Sequence, residues 1–325
     1  MSTYVKSFEN NPDNNKEVGL PLQDLKSEHT TVRQYFEEPE YSRDDRPSYF
    51  YVTLFIANSI ALVTLPMNWM VLPFILIQAG FFIGLLELMH QSVHRNFVMN
   101  RKLNEVLGVF ASSLIGFNLI SYRYFHLEHH RHTCDELDPE GILYAHSPAT
   151  RWSALITPLA HIWVAFSINK LSSKYVPKSK HQEWRRCGAI SLAIWSSLGL
   201  FAAIAPEQFL LVYLIPFCLF AYIDSFFSQA EHYETTYRQS GEKIDVSSVS
   251  YDIKLPTWIS HLVLSRNLHR IHHVWPRTRW FEAPARLELL DRLQQGRTLT
   301  FPAFIKKWMQ GGPRLWLPTT PKIPS

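Results

Sequence analysis

The amino-acid sequence predicts an all-α integral membrane protein with four transmembrane helices in two hairpins, additional interfacial helices and a histidine-rich cytosolic cap. Three observations predict this class: long apolar runs without charge, an uneven distribution of Lys and Arg, and histidines clustered near the ends of those runs. A soluble chain of 325 residues would distribute its apolar residues more evenly.

Four runs are long enough to cross a bilayer, which requires about 20 apolar residues. They are Ser48 to Met67, Trp69 to Met89, Cys187 to Ala205, and Gln208 to Ser228. The first two are joined by Pro66-Met67-Asn68 and the last two by Pro206-Glu207, so each pair is expected to form a tight helical hairpin.

The basic residues predict the orientation of the hairpins. No Lys or Arg occurs from Ser48 to His94 or from Cys187 to Tyr237. Because Lys and Arg concentrate on the cytosolic side, both hairpins are expected to start and end there. Two shorter apolar runs, Val106 to Ile120 and Trp152 to Ile168, are expected to be interfacial or partly inserted helices, since crossings would carry basic residues to the far side.

This pattern divides the chain into five segments. They are a cytosolic N-terminal arm (1–47), a first hairpin ending in a histidine pair (48–94), a cytosolic and interfacial region (95–186), a second hairpin (187–232) and a cytosolic C-terminal region (233–325). No targeting signal is evident, which favours the inner membrane of a bacterium or the endoplasmic reticulum.

Composition excludes two other classes. A formal net charge of +4, without a basic tract interleaved with aromatic residues, argues against nucleic-acid binding. The three cysteines have no CxxC spacing, which argues against a disulfide framework or a cysteine zinc site.

The histidines carry the functional signal. Of 15 histidines, eight lie in three boxes: HxxxH at His90 and His94, HxxHH at His126, His129 and His130, and HxxHH at His269, His272 and His273. One HxxHH motif is expected by chance only about 0.03 times in such a chain, so two are significant.

The spacing has a physical meaning, because residues at i, i+3 and i+4 share one helical face and their imidazoles can converge on a metal ion. Imidazole suits Zn, Cu, Fe and Ni alike. Eight histidines exceed the three or four ligands of one zinc site, so the pattern favours two metal ions. His232, directly after the fourth apolar run, is a ninth candidate ligand, whereas His132 points off the shared face.

Carboxylates near these boxes are candidates for orienting the imidazoles. Glu87 lies one turn before His90 in an otherwise uncharged run, and Asp224 lies two turns before His232. Weaker candidates for the same role are Glu128, Glu231, Asp138 and Asp252.

On these boxes the chain resembles the membrane fatty acid desaturase and hydroxylase superfamily. The likeness extends along His126–Thr133 with Asp138-Pro139 following, and along Asn267–Pro276. It implies a di-iron centre with two Fe²⁺ ions, O₂ as co-substrate, and nine ligands: His90, His94, His126, His129, His130, His232, His269, His272 and His273. Ser228 is a departure, because related acyl-CoA desaturases place there an asparagine that contacts iron through water.

The resemblance implies an O₂-dependent oxidase acting on an unactivated C–H bond of a lipid-like substrate, foremost a fatty acyl desaturase. A hydroxylase or a carotenoid ketolase of the same superfamily is the alternative, and a histidine-rich divalent-metal transporter is a remote one. The chain lacks the HPGG signature of a fused cytochrome b5 domain, so the expected electron donor is a separate protein of the ferredoxin or cytochrome b5 type.

Overall fold

A computed structural model describes residues 39–135, 137–141, 156–236, 245–293, 296–312 and 316–317. Most of the predicted N-terminal arm, the beginning of the second interfacial run and the last eight residues lie outside the described residues, as do His29 and His146.

The first hairpin consists of helices α1 (Arg46–Thr64) and α2 (Leu72–Val93). A short 3₁₀ turn (Trp69–Val71) precedes α2, and the Asn68 side chain starts it by accepting a hydrogen bond from the Met70 N–H. The hairpin therefore turns where the sequence predicts.

Two helices that meet at a sharp bend follow the first hairpin. Helix α3 (Arg101–Leu114) and helix α4 (Leu119–His132) are bent by 96° relative to each other. Gly116 adopts a φ of 89° at the break, a conformation that favours glycine, and Asn118 caps α4 through the N–H groups of Ile120 and Ser121. The run predicted over Val106 to Ile120 is therefore not one helix, because this turn divides it.

The second hairpin is preceded by helix α5 (His161–Ser172) and formed by helices α6 (His181–Ile204), α7 (Pro206–Phe209) and α8 (Ile215–Glu231). A π turn connects α7 to α8 just before Pro216. Proline has no N–H, so the carbonyl one turn earlier lacks its usual helical donor and the local hydrogen bonds shift.

The C-terminal region contains short elements. Helices α9 (Thr257–Leu262), α10 (His269–Val274), α11 (Ala283–Leu293) and α12 (Phe301–Gly311) accompany the strands β1 (Thr235–Thr236), β2 (Asp252–Lys254), β3 (Thr298–Thr300) and β4 (Trp316–Leu317). Strand β1 pairs in parallel with β4, and β2 with β3. The described residues of the C-terminal region contain no helix long enough to cross a membrane, as predicted.

Four helices of the described chain are long and apolar enough to cross a membrane: Arg46–Thr64, Trp69–Val93, Lys178–Ile204 and Pro206–Glu231. Many large apolar side chains on them are exposed, as expected for surfaces that contact lipid. Helix α2 lies at the centre, packed against α1, α3 and α8, and its second half is almost wholly buried. Its cytosolic end, by prediction, carries the first histidine box.

Helix α9 is held close to this central helix by two glycines of α2. A Cβ atom on Gly80 would lie 2.6 Å from the Leu262 side chain, and one on Gly84 would lie 1.6 Å from the Tyr51 hydroxyl. That hydroxyl donates a hydrogen bond of 2.9 Å to the Leu262 carbonyl. The segment leading into the third box is therefore fixed against both helices of the first hairpin.

Candidate metal centre

All nine predicted ligands come together in two adjacent clusters at the ends of α2, α4, α8 and α10. Cluster 1 consists of five imidazoles whose candidate ligand nitrogens lie within 4.8 Å of one another: His90, His94, His126, His130 and His272. Cluster 2 consists of four on the same criterion: His129, His232, His269 and His273. His232, which belongs to no box, completes cluster 2.

Each HxxHH box contributes to both clusters. His126 and His130 of the second box lie in cluster 1, and His129 lies in cluster 2. Positions i and i+4 of a helix are about 40° apart around its axis, whereas i+3 lies about 60° to the other side. Helix α4 thus faces the gap between the two clusters. In the third box, His269 and His273 lie in cluster 2 and His272 lies in cluster 1. Each HxxHH box therefore offers nitrogens to both clusters.

The spacing in cluster 1 suits a metal ion. The Nε2 atom of His90 lies 2.9 Å from the Nε2 atoms of both His126 and His272, and the Nε2 atom of His130 lies 2.8 Å from that of His272. With metal–nitrogen bonds of about 2.0–2.1 Å, ligand nitrogens at right angles are about 2.9 Å apart. Such mutual proximity of ring nitrogens is not a normal hydrogen-bond pattern, since each pair needs a donor proton.

The outer nitrogens of several imidazoles are held by hydrogen bonds. The Nδ1 atom of His90 lies 3.0 Å from a Glu87 oxygen, and that of His129 lies 2.9 Å from an Asp138 oxygen. The Nδ1 atom of His232 lies 2.9 Å from the Val249 carbonyl oxygen. Donation from Nδ1–H leaves the Nε2 lone pair directed inward, the tautomer that a metal ion requires.

The surroundings of the cap imidazoles set their protonation. At His129, burial is outweighed by the Asp138 and Glu140 carboxylates, which raise the pKa of this imidazole to about 9. In the third box burial prevails, because it holds the pKa values of His269, His272 and His273 well below the usual range and so favours their neutral form. The neutral imidazole is the form that binds metal ions.

Two inward nitrogens of the clusters are left without a hydrogen bond within the described part of the chain. The Nε2 atoms of His94 and His129 are buried and have no hydrogen-bond partner among the described residues. Buried polar atoms are rarely left without one, so a metal ion in each cluster would satisfy them. The donor set therefore fits a two-metal centre.

A buried ionic network borders cluster 2. The Arg266 guanidinium contacts Glu231 and lies 3.3 Å from Asp224, and it donates a hydrogen bond of 3.4 Å to the Ser228 hydroxyl. Ser228, the residue that departs from the resembled pattern, is thus part of an arginine–carboxylate network. Asp224 and Glu231, both candidates for orienting imidazoles, contact this arginine, and Glu231 also lies 3.8 Å from the Nδ1 atom of His269.

The four other histidines that the structure describes lie outside the clusters. His132 lies 3.1 Å from Asp135 and 3.6 Å from Glu128. His161 and His181 approach backbone carbonyls, and His261 packs on Trp280. None of these four contributes a nitrogen to either cluster of described residues.

Sequence reasoning missed two residues of the site. Glu140 has an oxygen 3.3 Å from the Nδ1 atom of His126, although it belongs to no motif. Arg266 was not singled out either. Its proximity to the third box, three residues later, is the only signal that the sequence offers.

Four helices able to span a membrane, with two histidine clusters able to hold metal ions beside them, define a membrane protein with a candidate two-metal centre. The family model named fatty acid desaturase matches residues 67–301, which include all nine clustered histidines. The chain belongs to the fatty acid desaturase family, which is generally di-iron dependent. A comparison with curated proteins gives no match.

Proposed function

We propose that the protein is an O₂-dependent di-iron membrane oxidase that introduces a carbon–carbon double bond into a fatty acyl chain. The observation that carries this proposal is the pair of histidine clusters, built from three boxes and His232 within a chain of the fatty acid desaturase family. Imidazole alone does not select iron over zinc or copper, so family membership supports the choice of iron.

The proposed ligands of one iron are the five histidines of cluster 1 and those of the other are the four of cluster 2. When bound, the iron pair would supply the O₂ chemistry that removes hydrogen from an unactivated methylene, which side chains cannot do. The protein's own residues supply geometry: Glu87 and Asp138 orient imidazoles of the first and second boxes, and burial keeps the imidazoles of the third box neutral.

The overall reaction needs an outside reductant. A saturated –CH₂–CH₂– unit, O₂, two electrons and two protons give –CH=CH– and two molecules of water. We assign the two external electrons to a separate ferredoxin or cytochrome b5 type protein, since the sequence has no HPGG signature.

The proposed membrane placement follows from the charges and the four apolar helices. Segments 48–94 and 187–232 form the two hairpins, and segments 1–47, 95–186 and 233–325 lie on the cytosolic side, where both clusters face. An acyl chain would enter from the bilayer. The membrane is the inner membrane of a bacterium or the endoplasmic reticulum.

The test is the lipid composition of cells that express the chain together with an electron donor in iron-replete medium. We expect new double bonds in acyl chains, detected by mass spectrometry of their methyl esters. The bonds should be absent with a His272→Ala, His273→Ala variant and retained with His181→Ala, which lies outside both clusters.

The products decide among related reactions. New hydroxyl groups on acyl chains would show that the protein is a hydroxylase and not a desaturase. Oxygenated carotenoids in a carotenoid-producing host would show that it is a carotenoid ketolase or hydroxylase. No oxidised product from iron-loaded protein with a working donor would overturn the proposal.

A further inference from the structure

The positive charge of this protein is concentrated in one short segment. Residues 170–186 contain six Lys and Arg and only one acid, a net charge of +5 (6 − 1), whereas the whole chain has a net charge of +4. The remainder is therefore slightly acidic, at −1 (4 − 5). Lys180 is paired with Glu183 at 2.6 Å.

The other five cations are all exposed and lie within 17 consecutive residues, and we call this group the basic belt: Lys170, Lys174, Lys178, Arg185 and Arg186. None of the five makes an ion pair with any residue that the structure describes. Like charges so close together repel each other, so an unpaired group of this kind favours an anionic partner.

The basic belt is fixed rigidly to the rest of the protein. The Asn169 side chain accepts a hydrogen bond from the Asn118 N–H and donates one to the Gly116 carbonyl, at 2.9 and 2.8 Å. The Asn118 side chain donates to the Trp184 carbonyl at 3.2 Å. The belt therefore keeps a fixed position beside the start of α4, the helix of the second box.

Exposed apolar surface flanks the belt on both sides. Helix α5 and the turn before it present an exposed apolar face, on which the exposed fraction of each side chain is 48 to 68%: Leu159, Ile162, Trp163 and Phe166. The next residue along that face is Lys170. On the other side, only 6% of the residues in the apolar 18-residue stretch of the candidate span Lys178–Ile204 are buried. An aromatic and apolar face that passes directly into lysines is typical of a helix lying at the membrane surface.

The geometry points to a binding surface for anionic lipid headgroups at the basic belt, with the apolar face of α5 inserted among the acyl chains. Phosphate groups of an acidic phospholipid match the five cations in charge, and the flanking apolar residues match its acyl chains. An acidic protein would match the charges alone and would leave the exposed Trp163 and Phe166 uncovered. The inference depends on neither the metal ions nor the proposed reaction.

The test uses the full chain in detergent, titrated with phosphatidylglycerol or with phosphatidylcholine of the same acyl chains. Bound lipid is counted by native mass spectrometry at low and high ionic strength. The belt variant changes all five cations to Gln. A matched control changes five exposed cations elsewhere: Arg43, Arg101, Lys102, Lys254 and Lys306.

We expect phosphatidylglycerol to bind preferentially, more weakly at high salt, and about tenfold or more weakly to the belt variant than to the control. Equal retention of the two lipids, or equal losses in the belt variant and the control, would overturn the inference. The inference would also be overturned if the belt variant bound phosphatidylglycerol as well as the wild type does but was no longer reduced by an acidic electron-transfer protein. Iron content and melting temperature, measured on both variants, verify that they fold.

Discussion

The Nε2 atoms of His90 and His126 lie 2.9 Å apart, although 36 positions separate the two residues in the sequence. His272, 182 positions after His90, approaches the same nitrogen at 2.9 Å. The end of the first hairpin, the second box and the third box therefore meet at one point. Such convergence of imidazole nitrogens away from water is costly unless an ion binds them, so the functional proposal is based on the metal centre.

The first prediction concerns the carboxylates behind the imidazoles. Glu87→Gln and Asp138→Asn should each weaken metal binding about 10- to 100-fold, because an amide can donate as well as accept and no longer enforces the tautomer that the carboxylate sets. Competition with a chelator of known affinity measures the change.

Glu128→Gln is the matched control, since Glu128 pairs with Arg131 at the surface and holds no clustered imidazole. Wild-type metal affinity in both test variants would contradict the assigned role of the two carboxylates.

The second prediction concerns the arginine inside the third box. Arg270 is fully buried, and its Nε atom donates to Asp252 at 2.9 Å while its terminal nitrogen contacts Asp291 at 2.5 Å. Arg270→Ala would leave the buried Asp252 without its cation, so we expect a loss of about 3–5 kcal/mol in the free energy of unfolding. Unfolding of the metal-free protein in detergent separates this loss from any change in metal binding.

The exposed pair Arg131–Glu128 provides the comparison, because Arg131→Ala should cost only about 0–1 kcal/mol. Similar losses of unfolding free energy in Arg270→Ala and Arg131→Ala would contradict the view that burial makes the Arg270 pair the more important of the two.

The third prediction concerns the close approach of the first hairpin to α9. Gly84→Ala would place a methyl group on the Tyr51 hydroxyl and break its hydrogen bond to Leu262, so we expect a loss of about 1–3 kcal/mol in stability. Gly199 lies in α6 with nothing within 4 Å of an added Cβ, and Gly199→Ala should be neutral or stabilise by up to about 1 kcal/mol. Thermal unfolding midpoints of the two variants measure the difference, and the opposite order would contradict the packing described.

The sequence predicts the helices of this fold well because the physical signals are strong and local. Four apolar runs of membrane length without Lys or Arg correspond to the four candidate spans, and the turns lie at Asn68 and Pro206. The bend at Gly116 was not predicted, since the apolar run continues through it and only a glycine and an asparagine mark the break.

The histidines of the site could be identified, but not their division between two clusters. That division depends on how α4 and α10 are rotated about their axes relative to the rest of the site, which spacing within one helix does not determine. The role of Glu140 and the Arg266 network likewise depend on tertiary contacts. Single charged residues carry no periodic pattern from which such contacts could be read.

The most direct test of the central claim is the metal content of detergent-purified protein after iron-replete growth, measured by elemental mass spectrometry. The variant His269→Ala, His272→Ala, His273→Ala removes ligands from both clusters, and His181→Ala removes none. We expect about two iron ions per chain in the wild type and in His181→Ala, and a loss of both in the triple variant. Zinc in place of iron, or no metal in the wild type, would contradict the di-iron oxidase.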